Sequence, residues 1–404
     1  MKIVLFHNYY QLPGGEDCVV QAEQKLLQSH GHDVDLYAVK NKTLENFNFF
    51  KKFKSTLWNQ DCYHLFLSYL KKEKPDIIHL HNDFPLASPA IIHAAHVAGV
   101  PIIQTLHNYR QMCANGLLSR KGKACEECIG KNFGWPAIVH KCYRDGYLAS
   151  FAGAMRNFVH YKKKTWTQLI HGFIAPTEFV KQKYVDSGID PSHIIVKPHF
   201  VEKPGTVSAK GGGFGLVIGR LTPEKGVDQI LEIYDSDKTL PPIKFVGRGP
   251  LKNHIEEMAS KDQRISFEPW ADASVLAQLY DACDYVICAA RVYETFGRVI
   301  AEAFSHGKPV VCPSGGAFEE LVEDHLTGCI YDPNAGGQGL SQAIKRMTQL
   351  LKQSPQTIQQ RCYETYRRRF SAEQNYHFLI KIYRDVLSGK LVGSTGLTVE
   401  YKAA

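Results

Sequence analysis

Strand-like and helical runs alternate along this chain of 404 residues, break off once, and then start again; that doubled pattern constrains the fold more than any other feature. Residues 2–7 form a short apolar run closed by polar loop, the pattern of a buried parallel strand. A helical pattern over 14–28 follows, with Gly31 as its stop signal. Further strand candidates lie at 34–39, 76–80 and 101–106, with helical stretches at 60–73 and 89–98 between them. Such alternation predicts βαβ units, a parallel sheet, and ligands at the carboxyl ends of the strands.

Residues 198–213 are rich in Pro, Gly and Ser and read as a linker. Beyond it strand candidates recur at 215–219, 243–247, 265–268, 285–288 and 309–312, each followed by a helical stretch. The expected organisation is therefore a domain over 1–197, the linker, and a second α/β domain over 214–370. A helix over 371–387 is expected to return toward the first domain, with a loose tail over 388–404. The uncharged stretch 84–106 is cut by Pro85, Pro89, Gly99 and Pro101, and carries His93 and His96, so it reads as a helix and a strand rather than a membrane span. Residues 1–8 turn polar after four apolar positions, short of a signal-peptide core. A cytoplasmic location is expected, with room for peripheral attachment at the inner face of the membrane.

Three local patterns carry chemistry. Glu294-Thr295-Phe296-Gly297, with Glu302 eight residues after Glu294, follows a strand and opens a helix whose free N–H groups suit an anion. Two carboxylates so spaced share a helix face and suit ribose hydroxyls, or are simply solvated. Gly219-Arg220 through Lys225-Gly226 sets a planar fork and a point charge on one strand-to-helix turn, as a pyrophosphate needs, or forms an ordinary basic loop. Gly14-Gly15 ends the first strand's loop without the dinucleotide G-x-G-x-x-G spacing.

Taken together with Val246-Gly247-Arg248-Gly249-Pro250 and Gly315-Gly316, these motifs resemble the retaining, sugar-nucleotide-dependent glycosyltransferases of family 4, over residues 2 to 387. Residues 75–82 and 105–110 add a likeness to the polysaccharide-synthesis branch, also known as group 1. The resemblance implies an α/β fold of GT-B architecture, two Rossmann-like domains facing across a deep cleft. It implies that Arg220 and Lys225 hold the donor pyrophosphate and that Glu302 binds the ribose. Glu294 and the amides of Thr295, Phe296 and Gly297 would contact the transferred sugar and phosphate, with His107 beside the sugar ring. Gly15, Gly219 and Arg248 would complete the donor side; Gly14, Gly15, His81, Asn82 and Asn108 would line the acceptor side. Arg248 stands where the family usually has Asp, and Pro198-His199-Phe200 where it has Pro-Asn-Gly.

The implied reaction moves a hexose, with glucose from UDP-glucose favoured, to a saccharide or lipid-linked saccharide of the cell envelope or an exopolysaccharide. A sugar-nucleotide epimerase and a non-catalytic nucleotide-sugar-binding protein are the competing readings. No D-x-D pair is found, so no metal cofactor is expected in catalysis. Cys113, Cys125, Cys128 and Cys142 run as C-x11-C-x2-C-x13-C, which suits a structural zinc ion, disulfides or packed free thiols. Residues 1–200 hold 24 Lys/Arg against 16 Asp/Glu, which accounts for the whole net charge of +8. No nucleic-acid module is present, so nucleic acid is excluded as the partner. The aromatic and basic segment from Phe47 to Trp58 suits an anionic membrane surface, a lid over the acceptor, or a core helix.

Overall fold

The computed structural model describes residues 1–10, 14–41, 47–202 and 211–390, so most of the expected linker and tail lies outside the described residues. The chain divides into two compact units. The first holds Met1–Arg120, Cys125–His199 and the chain from Asn375 onward; the second holds Phe200–Gln374 with Lys121–Ala124.

The first unit is built on a six-stranded sheet of β1 (Lys2–Tyr9), β2 (Asp33–Lys40), β3 (Ile77–Asn82), β4 (Ile102–Thr105), β5 (Gly172–Ala175) and β6 (Ile194–Val196). Their order is β2-β1-β3-β4-β5-β6, all parallel. Ile3, Leu5, Ile77, Ile103, Ile174 and Ile195 project from the sheet into one cluster with Leu27 and with Leu379, Ile382 and Tyr383 of the helix Ala372–Leu387. Each such side chain contributes about 1.5–3 kcal/mol on burial. Leu379, 0% exposed, would cost about 2–5 kcal/mol on truncation to Ala.

The second unit repeats the plan with β7 (Gly215–Arg220), β8 (Ile243–Arg248), β9 (Ile265–Glu268), β10 (Tyr285–Ile287), β11 (Val310–Pro313) and β12 (Gly328–Tyr331), in the order β9-β8-β7-β10-β11-β12. That is the 3-2-1-4-5-6 order of a doubly wound dinucleotide-type sheet. Strand order reverses between β1 and β3 in the first unit and between β7 and β10 in the second. Ligands of such sheets bind outside the carboxyl ends at that reversal. Three short strands of these two sheets, β5, β6 and β12, escape the sequence reading, as does a small two-stranded sheet of Ser119–Arg120 and Lys123–Ala124. Each of the three has only three or four residues, and β6 and β12 are sheet edges.

Candidate functional site

In the second unit the reversal point collects the basic motif. Arg220 ends β7 and Arg248 ends β8, and the two are direct register partners. The Arg in place of the usual Asp thus sets a second arginine at the neighbouring strand end. The Arg220 side chain is 66% exposed and, among the described residues, has one long contact, 3.8 Å, to Glu224. Lys225 follows on the turn and pairs with Glu294. This joins two motifs whose paired residues stand 69 positions apart in the sequence.

Glu294 sits in the loop after β10 that leads into the helix Arg298–Ser305. Gly297 is the N-cap of that helix at φ +97°, and a Cβ there would lie 2.6 Å from the Phe318 ring. Only glycine suits that turn, so the loop is delivered to the helix N-terminus on a fixed course. Phe296 is buried and anchors the loop from below. Glu302, one turn into the helix, accepts from Tyr280 Oη at 2.9 Å and from Arg298 Nη2 at 3.0 Å and Nε at 3.3 Å. A carboxylate offers about four acceptor positions, so one remains for a ligand hydroxyl. A cavity of about 1670 Å³, counting its solvent-open part, is lined here by Gln229, Arg291, Tyr293, Glu294, Ser314 and Gly315.

In the first unit the reversal point gathers histidines. His7 lies on β1, His79 and His81 on β3, and His107 just beyond β4. His7 Nε2 donates to Asp17 Oδ1 at 2.7 Å, and Asp17 Oδ2 accepts from the Gly14 amide at 2.8 Å. The histidine on the strand thereby fixes the double-glycine loop. Gly14 and Gly15 are exposed. His81 Nδ1 lies 2.9 Å from His107 Nε2, and the His107 ring stacks on His199 at 5.1 Å. Burial, with the nearby charges of His7 and Lys197, pushes His107 down to about 3. It is therefore a neutral imidazole at any ordinary pH.

Asn82 and Asn108 are more committed than the sequence suggests. Asn82 donates to Asn8 O at 2.7 Å and accepts from the Phe84 amide at 3.0 Å. Asn108 Oδ1 accepts from the Arg110 amide at 3.1 Å. Both shape the loops that follow β3 and β4 from within. The sequence reading missed Glu16, whose buried Oε1 has no hydrogen-bond partner among the described residues. Burial and Asp17 push its carboxyl up to about 8 against Arg110 and hydrogen bonds from Asn108 and Asn82. Its place directly after Gly14-Gly15 was the available signal.

The four cysteines come into one neighbourhood as free thiols. Burial and the thiols of Cys113, Cys142 and Cys125 push Cys128 up to about 11. Cys113 Sγ donates to Asn115 Oδ1 at 2.9 Å. Among the described residues, the three-ligand set drawn within 4.8 Å is instead Glu23, His79 and His81. A cation there would face the Lys197 ammonium, 3.1 Å from Glu23.

The segment after Phe47 is a helix, Phe49–Leu57, with two faces. Phe53 stacks on Phe151, while Phe50 is 79% exposed beside exposed Lys51, Lys52 and Lys54. The helix packs on Tyr147–Lys162, which packs on Trp135–Val139. These two bring exposed Tyr147, Leu148, Tyr161, Trp135 and Val139, with exposed Lys162 and Lys163. No helix among the described residues is long and apolar enough to cross a membrane.

A family model for glycosyl transferases of group 1 matches residues 202–369, and a model for Glycosyltransferase Family 4 matches residues 14–203. An uncharacterized glycosyltransferase of Methanocaldococcus jannaschii is 24% identical over 278 residues, which are 66% of this chain and 65% of that protein. The alpha-monoglucosyldiacylglycerol synthase of Streptococcus pneumoniae is 23% identical over 368 residues, covering 82% of this chain and 75% of that one. Among solved structures, Anabaena Alr3699/HepE in complex with UDP matches with a TM-score of 0.65 at 17% identity, over 94% of this chain and 99% of that one. The same protein in complex with UDP-glucose matches with a TM-score of 0.62.

Proposed function

We propose a donor, a stereochemical course and an acceptor class for this chain, which belongs to the group 1, family 4-type glycosyltransferases and so moves a sugar from a nucleotide sugar. The donor is a UDP-hexose, with UDP-glucose first in line, and the sugar is transferred with retention. The acceptor is a saccharide or lipid-linked saccharide of envelope or exopolysaccharide assembly. The carrying observation is the register of Arg220 with Arg248 at the carboxyl ends of β7 and β8, beside Lys225 and Glu294.

In this reading Arg220, Arg248 and Lys225 hold the diphosphate and offset the charge that builds on it as the glycosidic bond breaks. The Lys225–Glu294 pair opens when donor arrives, freeing Lys225 for phosphate and Glu294 for a sugar hydroxyl. Thr295, Phe296 and Gly297 offer backbone amides at the helix start, and Glu302 uses its remaining acceptor position for a ribose hydroxyl. His107, being neutral, serves the transferred sugar as a hydrogen-bonding group rather than as an acid. Retention follows if the acceptor attacks on the face that the leaving phosphate vacates, with that phosphate taking the acceptor's proton. Donor binding then needs no divalent ion.

UDP and UDP-glucose are the ligands named for the HepE structures, and they set the order in which donors are tried. A thermal-shift screen of UDP-, GDP- and ADP-sugars tests the donor, since ligand at 100 times Kd stabilises by about 2.7 kcal/mol. A shift with GDP-sugars and none with UDP-sugars would overturn the choice of base. Analysis of the product's anomeric configuration tests retention, and formation of any glycosidic product separates this reading from an epimerase or a sensor.

A further inference from the structure

The role of His107 rests on the reading just given; the way its ring is held does not. His107 Nε2 and His81 Nδ1 lie 2.9 Å apart, so one of them donates and the other accepts. A neutral imidazole carries its proton on either nitrogen, and nothing within the pair decides which. The decision is made one residue further in. His81 Nε2 lies 3.5 Å from Glu23 Oε2, a charge contact rather than a hydrogen bond, and neither atom has a hydrogen-bond partner among the described residues. The other oxygen of Glu23 accepts from Lys197 Nζ at 3.1 Å, with both side chains at most 1% exposed. Lys197 is itself anchored on Asn375 Oδ1 at 3.1 Å.

As the anion of that buried pair, Glu23 can only accept. A bare imidazole lone pair aimed at a carboxylate oxygen in a dry interior is repelled, whereas an N–H is attracted. The proton of His81 therefore sits on Nε2, and its Nδ1 is left to accept from His107 Nε2–H. We infer that Glu23 and His81 are positioning residues that hold His107 as the Nε2–H tautomer, with its lone pair on Nδ1. Burial keeps the His81 ring neutral as well, so the chain transmits orientation and not a proton. His79, 3.6 Å from the same Glu23 oxygen, is occupied otherwise: its Nδ1 lies 2.8 Å from Tyr383 Oη and its Nε2 2.7 Å from Thr105 Oγ1.

Glu23→Gln gives a test with a definite sign. Lys197 has only donors, so the new amide turns its oxygen to Lys197 and its NH2 to His81. His81 Nε2 must then accept, its proton moves to Nδ1, and His107 is forced to the Nδ1–H form. Imidazole 15N spectra of the full chain, assigned with His107→Ala, are expected to show His107 protonated at Nε2 in the parent and at Nδ1 in Glu23→Gln. Turnover in Glu23→Gln is expected to fall at least tenfold, with donor KM within threefold. A parent spectrum with the proton on Nδ1 overturns the inference, and needs no variant to fold. An unchanged tautomer in folded Glu23→Gln does the same. If the parent spectrum is as expected while His107→Ala turns over normally, the tautomer chain stands and the role of His107 in transfer falls.

Discussion

Arg220 is the side chain where structure and proposed chemistry separate most cleanly. It is two-thirds exposed and, among the described residues, makes one long contact to Glu224, so Arg220→Ala should leave the melting temperature unchanged. Removal of a group that stabilises developing charge costs about 2.7–4 kcal/mol in the transition state, a hundredfold or more in turnover. Activity within a few-fold of the parent would make the loop an ordinary basic surface. Glu302→Gln tests the opposite kind of contact. The amide loses the charge-assisted part of its bond to a ribose hydroxyl, and also meets Arg298 as a weaker acceptor. Calorimetry with the bare nucleoside diphosphate should show weaker binding, while turnover at saturating donor changes little. Glu294, Arg220 and Lys225 were readable from motif spacing. The claim of Tyr280 on Glu302 was not, because Tyr280 arrives from another helix.

Among the elements, the loop from Glu294 to Gly297 has its geometry set by one glycine. Gly297→Ala forces a Cβ against Phe318 at positive φ, a strain of about 1–3 kcal/mol. In a unit of this size the melting temperature should drop by several degrees, and donor affinity should fall with it. The helix Phe49–Leu57 presents two different faces. Phe53 is half-buried in its stack on Phe151, and Phe50 faces solvent. We propose that the exposed face of this helix, with the exposed aromatics and lysines of Tyr147–Lys162, rests on anionic lipid. Each Lys near such a surface contributes about 1 kcal/mol. In vesicle flotation, Phe50→Ser should weaken salt-sensitive binding to acidic vesicles and leave stability intact, whereas Phe53→Ala should lower stability. Equal flotation with neutral and acidic vesicles would remove the membrane from the account.

Across the whole molecule, buried neutral histidines make the first unit sensitive to acid. Burial lowers His160 and His107 from an ordinary 6.5 to about 3, and pushes His79 and His81 down too. Between those values the unfolded chain binds more protons than the folded one, so stability falls as pH drops below 6.5. The slope approaches about 1.4 kcal/mol per pH unit for a fully buried ring such as His160. Glu16 runs the other way: its carboxyl is raised from 4.5 to about 8, and its contribution is lost as pH rises through that window. Melting temperature should therefore decline steadily from pH 6.5 to 4, and a flat profile would contradict the burial of these rings. Chelation by EDTA should leave transfer unchanged if Arg220, Arg248 and Lys225 alone carry the diphosphate.

Local pattern was enough to announce two parallel α/β units, their break near residue 200 and the basic and acidic motifs at strand ends. Those signals depend on periodicity and on turn residues, which adjacent positions along the chain settle. The three short strands β5, β6 and β12 were invisible because three or four residues hold too little pattern, and neighbouring strands supply their hydrogen bonds. The pairing of Lys225 with Glu294, the register of Arg220 on Arg248 and the line from Lys197 through Glu23 and His81 to His107 depend on sheet order and helix placement. Burial then removed the competition of water, which sequence alone does not reveal for these scattered histidines and carboxylates.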